Sequence, residues 1–213
     1  LSIAFVLGNG TSRDGIPLES LKKFGTIYAC NAVYRDFDPD YLVAVDTKMV
    51  NEIVHRNYQY KRPVWTNYNK TFEKYKGLNY FTPSKGWSSG PTALDLASSH
   101  NHNTIYILGF DFRGIGPEHK RVNNLYSGTQ NYKGSHDTAT YYGNWLRQTT
   151  LIMQQNDKKR YIRVILEKGF IPEPLDKFSN VTHVIRKIFV NLSIFYKICQ
   201  KLSVFGVFSS IIL

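Results

Sequence analysis

Along the chain, short apolar runs stop abruptly on glycine, asparagine or aspartate, and between them apolar residues recur at helical spacing. "IAFVL", residues 3–7, is unbroken in the way a buried strand requires, and it ends on Gly8-Asn9-Gly10. "PLESLKKF", 17–24, opens on proline and spaces Leu18, Leu21 and Phe24 along one face, which predicts a short helix. Residues 26–30 predict a second strand ending on Asn31. "DYLVAVD" predicts a third, ending on Asp46, with the helix "TKMVNEIVHR" behind it carrying Met49, Val50, Ile53 and Val54 on one side. Within 57–86, rich in Tyr, Asn and Lys, "PVWTN" and "LNYFT" read as short strands of a wandering segment. A helix is expected from about Pro91, a strand over 103–112 ("NTIYILGFDF"), a polar loop over 113–137, a helix over 138–155 and a last strand in "KRYIRVILEKG". This alternation predicts an α/β fold, a single doubly wound, mostly parallel sheet over 1–182 with a long polar lid loop. Three of the strands deliver Asn9, Asn31 and Asp46 at their C-terminal ends, the edge where open parallel sheets bind ligands.

Composition agrees with one core: 213 residues, 42% hydrophobic and 15% aromatic. The formal net charge of +11 favours a polyanionic partner, but no basic run is longer than "KK" or "DKKR", so the charge is spread and nucleic acid is disfavoured. Cys30 and Cys199 lie far apart and in no metal-ligand spacing. They predict a reducing, cytoplasmic setting with no metal site. Leu1 opens the chain with no basic segment ahead of the apolar run, which predicts a strand rather than a secretory leader. The tail, 183–213, is apolar and basic, with Arg186, Lys187, Lys197 and Lys201 and no acid. It reads either as an amphipathic surface helix offering a peripheral membrane contact, or as an ordinary terminal helix or a segment foreign to the domain.

Three places can carry chemistry. Gly8-Asn9-Gly10 suits a strand-to-helix turn that needs positive φ and a ligand close to the main chain, with a plain turn as the other reading. It is neither G-x-G-x-x-G, since Arg13 stands where the third glycine belongs, nor a P-loop. In "GWSSGPTA", Ser88, Ser89 and Gly90 precede a proline expected at the first helical position, giving an anion site or a simple cap. His136 follows the polar loop and precedes a predicted helix, placing it as a general base or, with Asp137, as a capping pair. Tyr126, Tyr132, Tyr141 and Tyr142 can stack on a base or hydrogen-bond a phosphate.

Taken together, "AFVLGNGTS", "YACNAVY", "WSSGPTALDLA", "IYILGFDF" and a histidine before a late helix resemble the bacterial sialyltransferase family 42. They also resemble the wider sialyltransferase-like, Rossmann-type group that includes the archaeal 6-hydroxymethylpterin pyrophosphokinase-like proteins. The resemblance spans roughly 3–165. It implies a metal-independent glycosyltransferase without a bound cofactor, taking a nucleotide sugar such as a CMP-sugar as co-substrate and a glycan or other hydroxyl compound as acceptor. On that resemblance Asn9 and Gly10 meet the donor phosphate or ribose, with Gly8 and Asn31 beside them in the nucleotide-binding set. Ser88, Ser89 and Gly90 hold the nucleotide, Tyr126 and Tyr132 belong to the lid, and His136 is the base. Two departures bear on sugar specificity: the lid is short, and "KGW" stands where the family has an arginine before its T-S-G turn. The pyrophosphokinase likeness implies instead Mg²⁺-dependent phosphoryl transfer, with Asp46 and Asp111 as metal ligands. The phrasing "GTIYACNAVYRDF" is also similar to uncharacterised proteins of tailed marine phages, a similarity that supplies no activity; a further expectation from another class is a non-catalytic nucleotide-binding or phage-host interaction module whose basic surface serves an acidic partner.

Overall fold

The computed structural model describes residues 2–191. The strands are β1 (Ile3–Leu7), β2 (Thr26–Cys30), β3 (Tyr41–Val43), β4 (Val64–Asn67), β5 (Leu78–Phe81), β6 (Thr104–Leu108), β7 (Arg160–Ile165) and β8 (Val181–Ile185). They form one eight-stranded sheet in the order β5-β4-β3-β2-β1-β6-β7-β8, and every neighbouring pair is parallel. The helices are α1 (Leu18–Leu21), α2 (Thr47–His55), α3 (Ser89–Ser99), α4 (Gly143–Gln155) and the single turn α5 (Glu173–Asp176). The result is a Rossmann-like, doubly wound α/β fold.

Both faces of the sheet are covered, which explains why its central strands read as continuous apolar runs rather than as alternating ones. Along β1, side chains still alternate between faces. Phe5 and Leu7 join a core with Leu21 of α1, Val50 and Ile53 of α2, and Phe189. Ala4 and Val6 join the opposite core with Ala93, Leu94 and Ala97 of α3, and Ile152 and Met153 of α4.

Several boundaries differ from the sequence expectation, each for a local reason. α1 is one turn, and 22–24 close as a turn with Phe24 N donating to Leu21 O at 2.9 Å. "PVWTN" and "LNYFT" are not a wandering segment: as β4 and β5 they extend the main sheet to its edge, with Val64 and Thr66 fully buried. β6 stops at Leu108 because Gly109 (φ +75°) and Phe112 (φ +51°) turn the chain out of the sheet. α3 begins at Ser89, so Pro91 is its third residue rather than its first. No bond is lost, because the first-turn N–H groups have no intrahelical partner. α4 begins only at Gly143, and 138–142 belong to the loop, with Thr138 bridging to Arg121.

The division after residue 182 falls inside β8, which pairs with β7 from Tyr161↔Val181 to Ile165↔Ile185. Residues 186–191 are helical, and the Phe189 ring packs 5.6 Å from that of Tyr106, so this stretch belongs to the domain. The rest of the tail, including Lys197, Cys199 and Lys201 and most of the expected amphipathic helix, lies outside the described residues. Among the described residues no helix is long and apolar enough to cross a membrane.

Candidate functional site

The chain winds outward from β1 to β5 and then returns to the other side of β1 as β6, so the strand order reverses between β1 and β6. In open parallel sheets such a reversal leaves a crevice at the carboxyl ends of the two strands. Here the two exits are drawn together: Gly8 N donates to Leu108 O at 2.7 Å and Gly10 N to Gly109 O at 2.9 Å. A Cβ at Gly8 would stand 2.6 Å from Gly109 O, and one at Gly10 would stand 2.5 Å from Asp111 Oδ2. Neither glycine has positive φ; the left-handed residue of this seam is Gly109. The space beside the G-N-G glycines is therefore taken by the exit of β6, and the motif serves the seam between the two halves of the sheet.

Over this seam lies a cavity of about 670 Å³. Of the residues singled out in the sequence, Gly8, Asn9, Gly10, Asn31, Ser88, Ser89, Gly90 and Tyr132 all line it. Asn9 Nδ2 donates to Tyr132 Oη at 3.0 Å, while Asn9 Oδ1 is buried without a hydrogen-bond partner. Asn31, held at φ +53° directly after β2, leaves its buried Oδ1 unpaired as well. Buried polar atoms are nearly always satisfied, so two orphaned amide oxygens on one cavity mark places where a ligand's donors belong. Ser89 Oγ accepts from Val45 N at 3.0 Å, tying α3 to the exit of β3, and Ser88 N donates to Gln148 Oε1 at 3.1 Å. The start of α3 thus faces the cavity with its free N–H groups and the positive end of its dipole. Lys48, Arg113 and Lys133 add formal positive charge to the wall, Asp46 and Asp111 add carboxylates, and Trp145 adds an aromatic surface.

Tyr126 and His136 lie apart from this group. Tyr126 is 5% exposed beneath the loop, its ring centroid 5.9 Å from that of Tyr132. Its hydroxyl accepts from Arg13 Nη2 at 3.3 Å, and burial pushes its pKa up to about 12. His136 sits in an exposed turn over 134–137, closed by Gly134 N donating to Asp137 Oδ2, seven residues before α4 rather than directly before a helix. Neither lines the cavity.

The loop between β6 and α4 is fastened from two sides. Leu125 N donates to Asn9 O at 2.8 Å, and Asn123 Oδ1 accepts from both the backbone and the hydroxyl of Thr11. On the other side stands Glu52 of α2, 5% exposed. It receives Arg35 at 2.7 and 2.5 Å, Tyr34 Oη at 2.6 Å and Asn131 Nδ2 at 2.7 Å. Burial alone would raise the Glu52 pKa, but the hydrogen bonds from Arg35, Tyr34 and Asn131 outweigh it and hold the carboxyl below its ordinary value. Arg35 also donates to Gln130 O at 2.8 Å and lies over the rings of Tyr126 and Tyr132. Tyr132 is thereby set against the cavity wall, where its hydroxyl accepts from Ala32 N as well as from Asn9. Burial raises its pKa and keeps it a neutral phenol.

Sequence reading missed the cations and the Glu52 tie. Lys48, Arg113 and Lys133 look like any other scattered bases. Glu52 left one trace, a carboxylate three residues after Met49 on the edge of an apolar helical stripe. Cys30, also in the wall, is a buried free thiol whose pKa burial pushes up to about 12, which leaves it inert. Among the described residues no group of three or more His, Cys, Asp or Glu side chains is placed to hold a metal ion. No family model, no curated protein and no solved structure matches this chain.

Proposed function

We propose that the cleft binds a nucleotide-activated sugar and that the protein transfers the sugar to a hydroxyl acceptor without a metal ion. The observation that carries this reading is the pair of orphaned, buried amide oxygens of Asn9 and Asn31 on one cavity at the sheet's switch point. Such acceptors suit ribose hydroxyls or the exocyclic amine of a base. The start of α3 and the bases Lys48, Arg113 and Lys133 suit the phosphate. Phosphate charge that grows as the glycosidic bond breaks would meet fixed dipoles and cations in a partly closed site, where they act most strongly. Calorimetric titration with CMP, UMP, AMP and ATP, with and without Mg²⁺, tests the reading. Mg²⁺-independent binding of a nucleotide, weakened at least tenfold, about 1.4 kcal/mol, in Asn9→Ala, is the expected result. Absence of binding to all four would overturn it.

A second reading, Mg²⁺-dependent phosphoryl transfer, draws on Asp46 and Asp111 lining the same cavity. Two carboxylates suffice for Mg²⁺ only when substrate phosphates supply further oxygens. Nucleotide binding that disappears on adding a chelator would favour it.

A further inference from the structure

Beside the main cavity lies a second one of about 230 Å³, and Asp111, Arg113, Gly114 and Asn123 form part of both walls. Asp46, the other carboxylate of the cleft, lines only the larger. We propose that Asp111 is the general base of the transfer, taking the proton from an acceptor hydroxyl seated in the smaller cavity while the donor occupies the larger. This rests on the donor-binding reading above.

Three features support the assignment. Asp111 is held in place: Oδ2 accepts from Ser12 N at 3.0 Å, and Arg163, buried within β7, donates to Phe110 O at 2.7 Å and Asp111 O at 3.3 Å. The left-handed residues Gly109 and Phe112 on either side bend the exit of β6 so that this carboxylate crosses to the exit of β1. A base must be fixed relative to the bond it helps to form, and these contacts fix it. Second, the smaller cavity is itself equipped for a polar guest. Ser12 lines it, 2% exposed, and its buried hydroxyl has no hydrogen-bond partner. Third, Phe170, 37% exposed, gives that cavity an apolar wall for a sugar ring, with the Arg113 guanidinium over its ring 5.3 Å from the centroid. The volume suits a single sugar ring rather than a nucleotide.

In the step itself, the acceptor O–H gives its proton to the Asp111 carboxylate and the acceptor oxygen bonds to the anomeric carbon. The bond from that carbon to the phosphate oxygen breaks, and its electron pair leaves with the nucleotide. Asp111 then returns its proton to water. Water can stand in for the acceptor, so the test needs no knowledge of the natural one. The measurement is nucleotide release from CMP-N-acetylneuraminic acid and from UDP-, GDP- and dTDP-hexoses, with calorimetric titration of the matching nucleotide.

Asp111→Asn is expected to lower release about a hundredfold or more while nucleotide affinity stays within about twofold. Formate added to Asp111→Ala is expected to restore part of the rate, which a merely structural role would not allow. Release within about threefold of the parent in Asp111→Asn overturns the assignment, as does release that survives there and falls in His136→Ala. A parent protein that binds nucleotide but releases none from any donor also overturns it, and so does parent activity abolished by a chelator. No nucleotide binding at all is the separate result that removes the donor-binding reading, and this inference with it.

Discussion

At the scale of single residues, polar groups of the cleft do two different jobs that the sequence writes in the same letters. Asn9 and Asn31 each hold a buried oxygen without a partner, whereas the glycines beside Asn9 are filled against the protein itself. Asn31→Gly, which tolerates the positive φ and removes the amide, is therefore expected to weaken nucleotide binding at least tenfold with little change in melting temperature, read by calorimetry and thermal denaturation. Gly10→Ala should act on the fold instead. Its Cβ meets the Asp111 carboxylate, and overpacking of this kind costs about 1–3 kcal/mol, measurable by urea denaturation. Asn9, Asn31 and Ser88–Gly90 were legible as residues of the cleft wall because a buried apolar run stops at the first two and a helix starts at the third, and such an abrupt change leaves a trace in one dimension. Asp111 carries the same mark at the end of "IYILGF", yet its place between two cavities depends on Gly109, Phe112 and Arg163, the last of which is fifty-two residues downstream. His136 shows the converse. Its position before a helix held only as long as that helix was drawn from 138, and the true start at Gly143 leaves it in a turn.

Among the elements, the loop between β6 and α4 depends on α2 and on the residues after β2 for its shape. Glu52 is the centre of that dependence, and replacing it by Gln leaves the half-buried Arg35 guanidinium without its counter-charge, a change that costs about 1–3 kcal/mol. Hydrogen exchange should then speed up modestly over 123–133 in Glu52→Gln while β1 and β6 stay protected. The same carboxyl predicts an acid limit. Its native pKa is depressed, so its contribution is complete above the unfolded carboxylate value of about 4.3 and is lost as pH falls through the native one. Denaturant unfolding between about pH 6 and 3 should show stability falling toward the acid end, with a smaller fall in Glu52→Gln. The central strands were readable because burial on both faces gives unmistakable apolar runs. β8 was not: Val181–Ile185 carries Thr182 and His183, and none of its residues is fully buried, so nothing in its composition separates it from a tail.

For the whole molecule, the sheet makes the last residues of the domain structural. Truncation after residue 182 would remove most of β8 and bare the edge of β7, so the shortened protein is expected to melt lower and aggregate, read by thermal denaturation and light scattering. The spread positive charge of +11 belongs to this scale too, and under the proposed function the cleft's own cations, not the overall field, would select the phosphate. The pairing of Ile3↔Thr104 through Leu7↔Leu108 joins segments about a hundred positions apart, whereas neighbouring strands elsewhere in the sheet are far closer in the chain. Closing so long a loop is entropically the most expensive pairing in the sheet, so each half can gather around its own crossovers before the two are joined. The cleft, lined from both halves, and everything that would bind in it, exists only once the two are joined. A bound nucleotide should accordingly slow unfolding and leave the refolding rate almost unchanged in stopped-flow kinetics, acting as a latch on a door that has already swung shut.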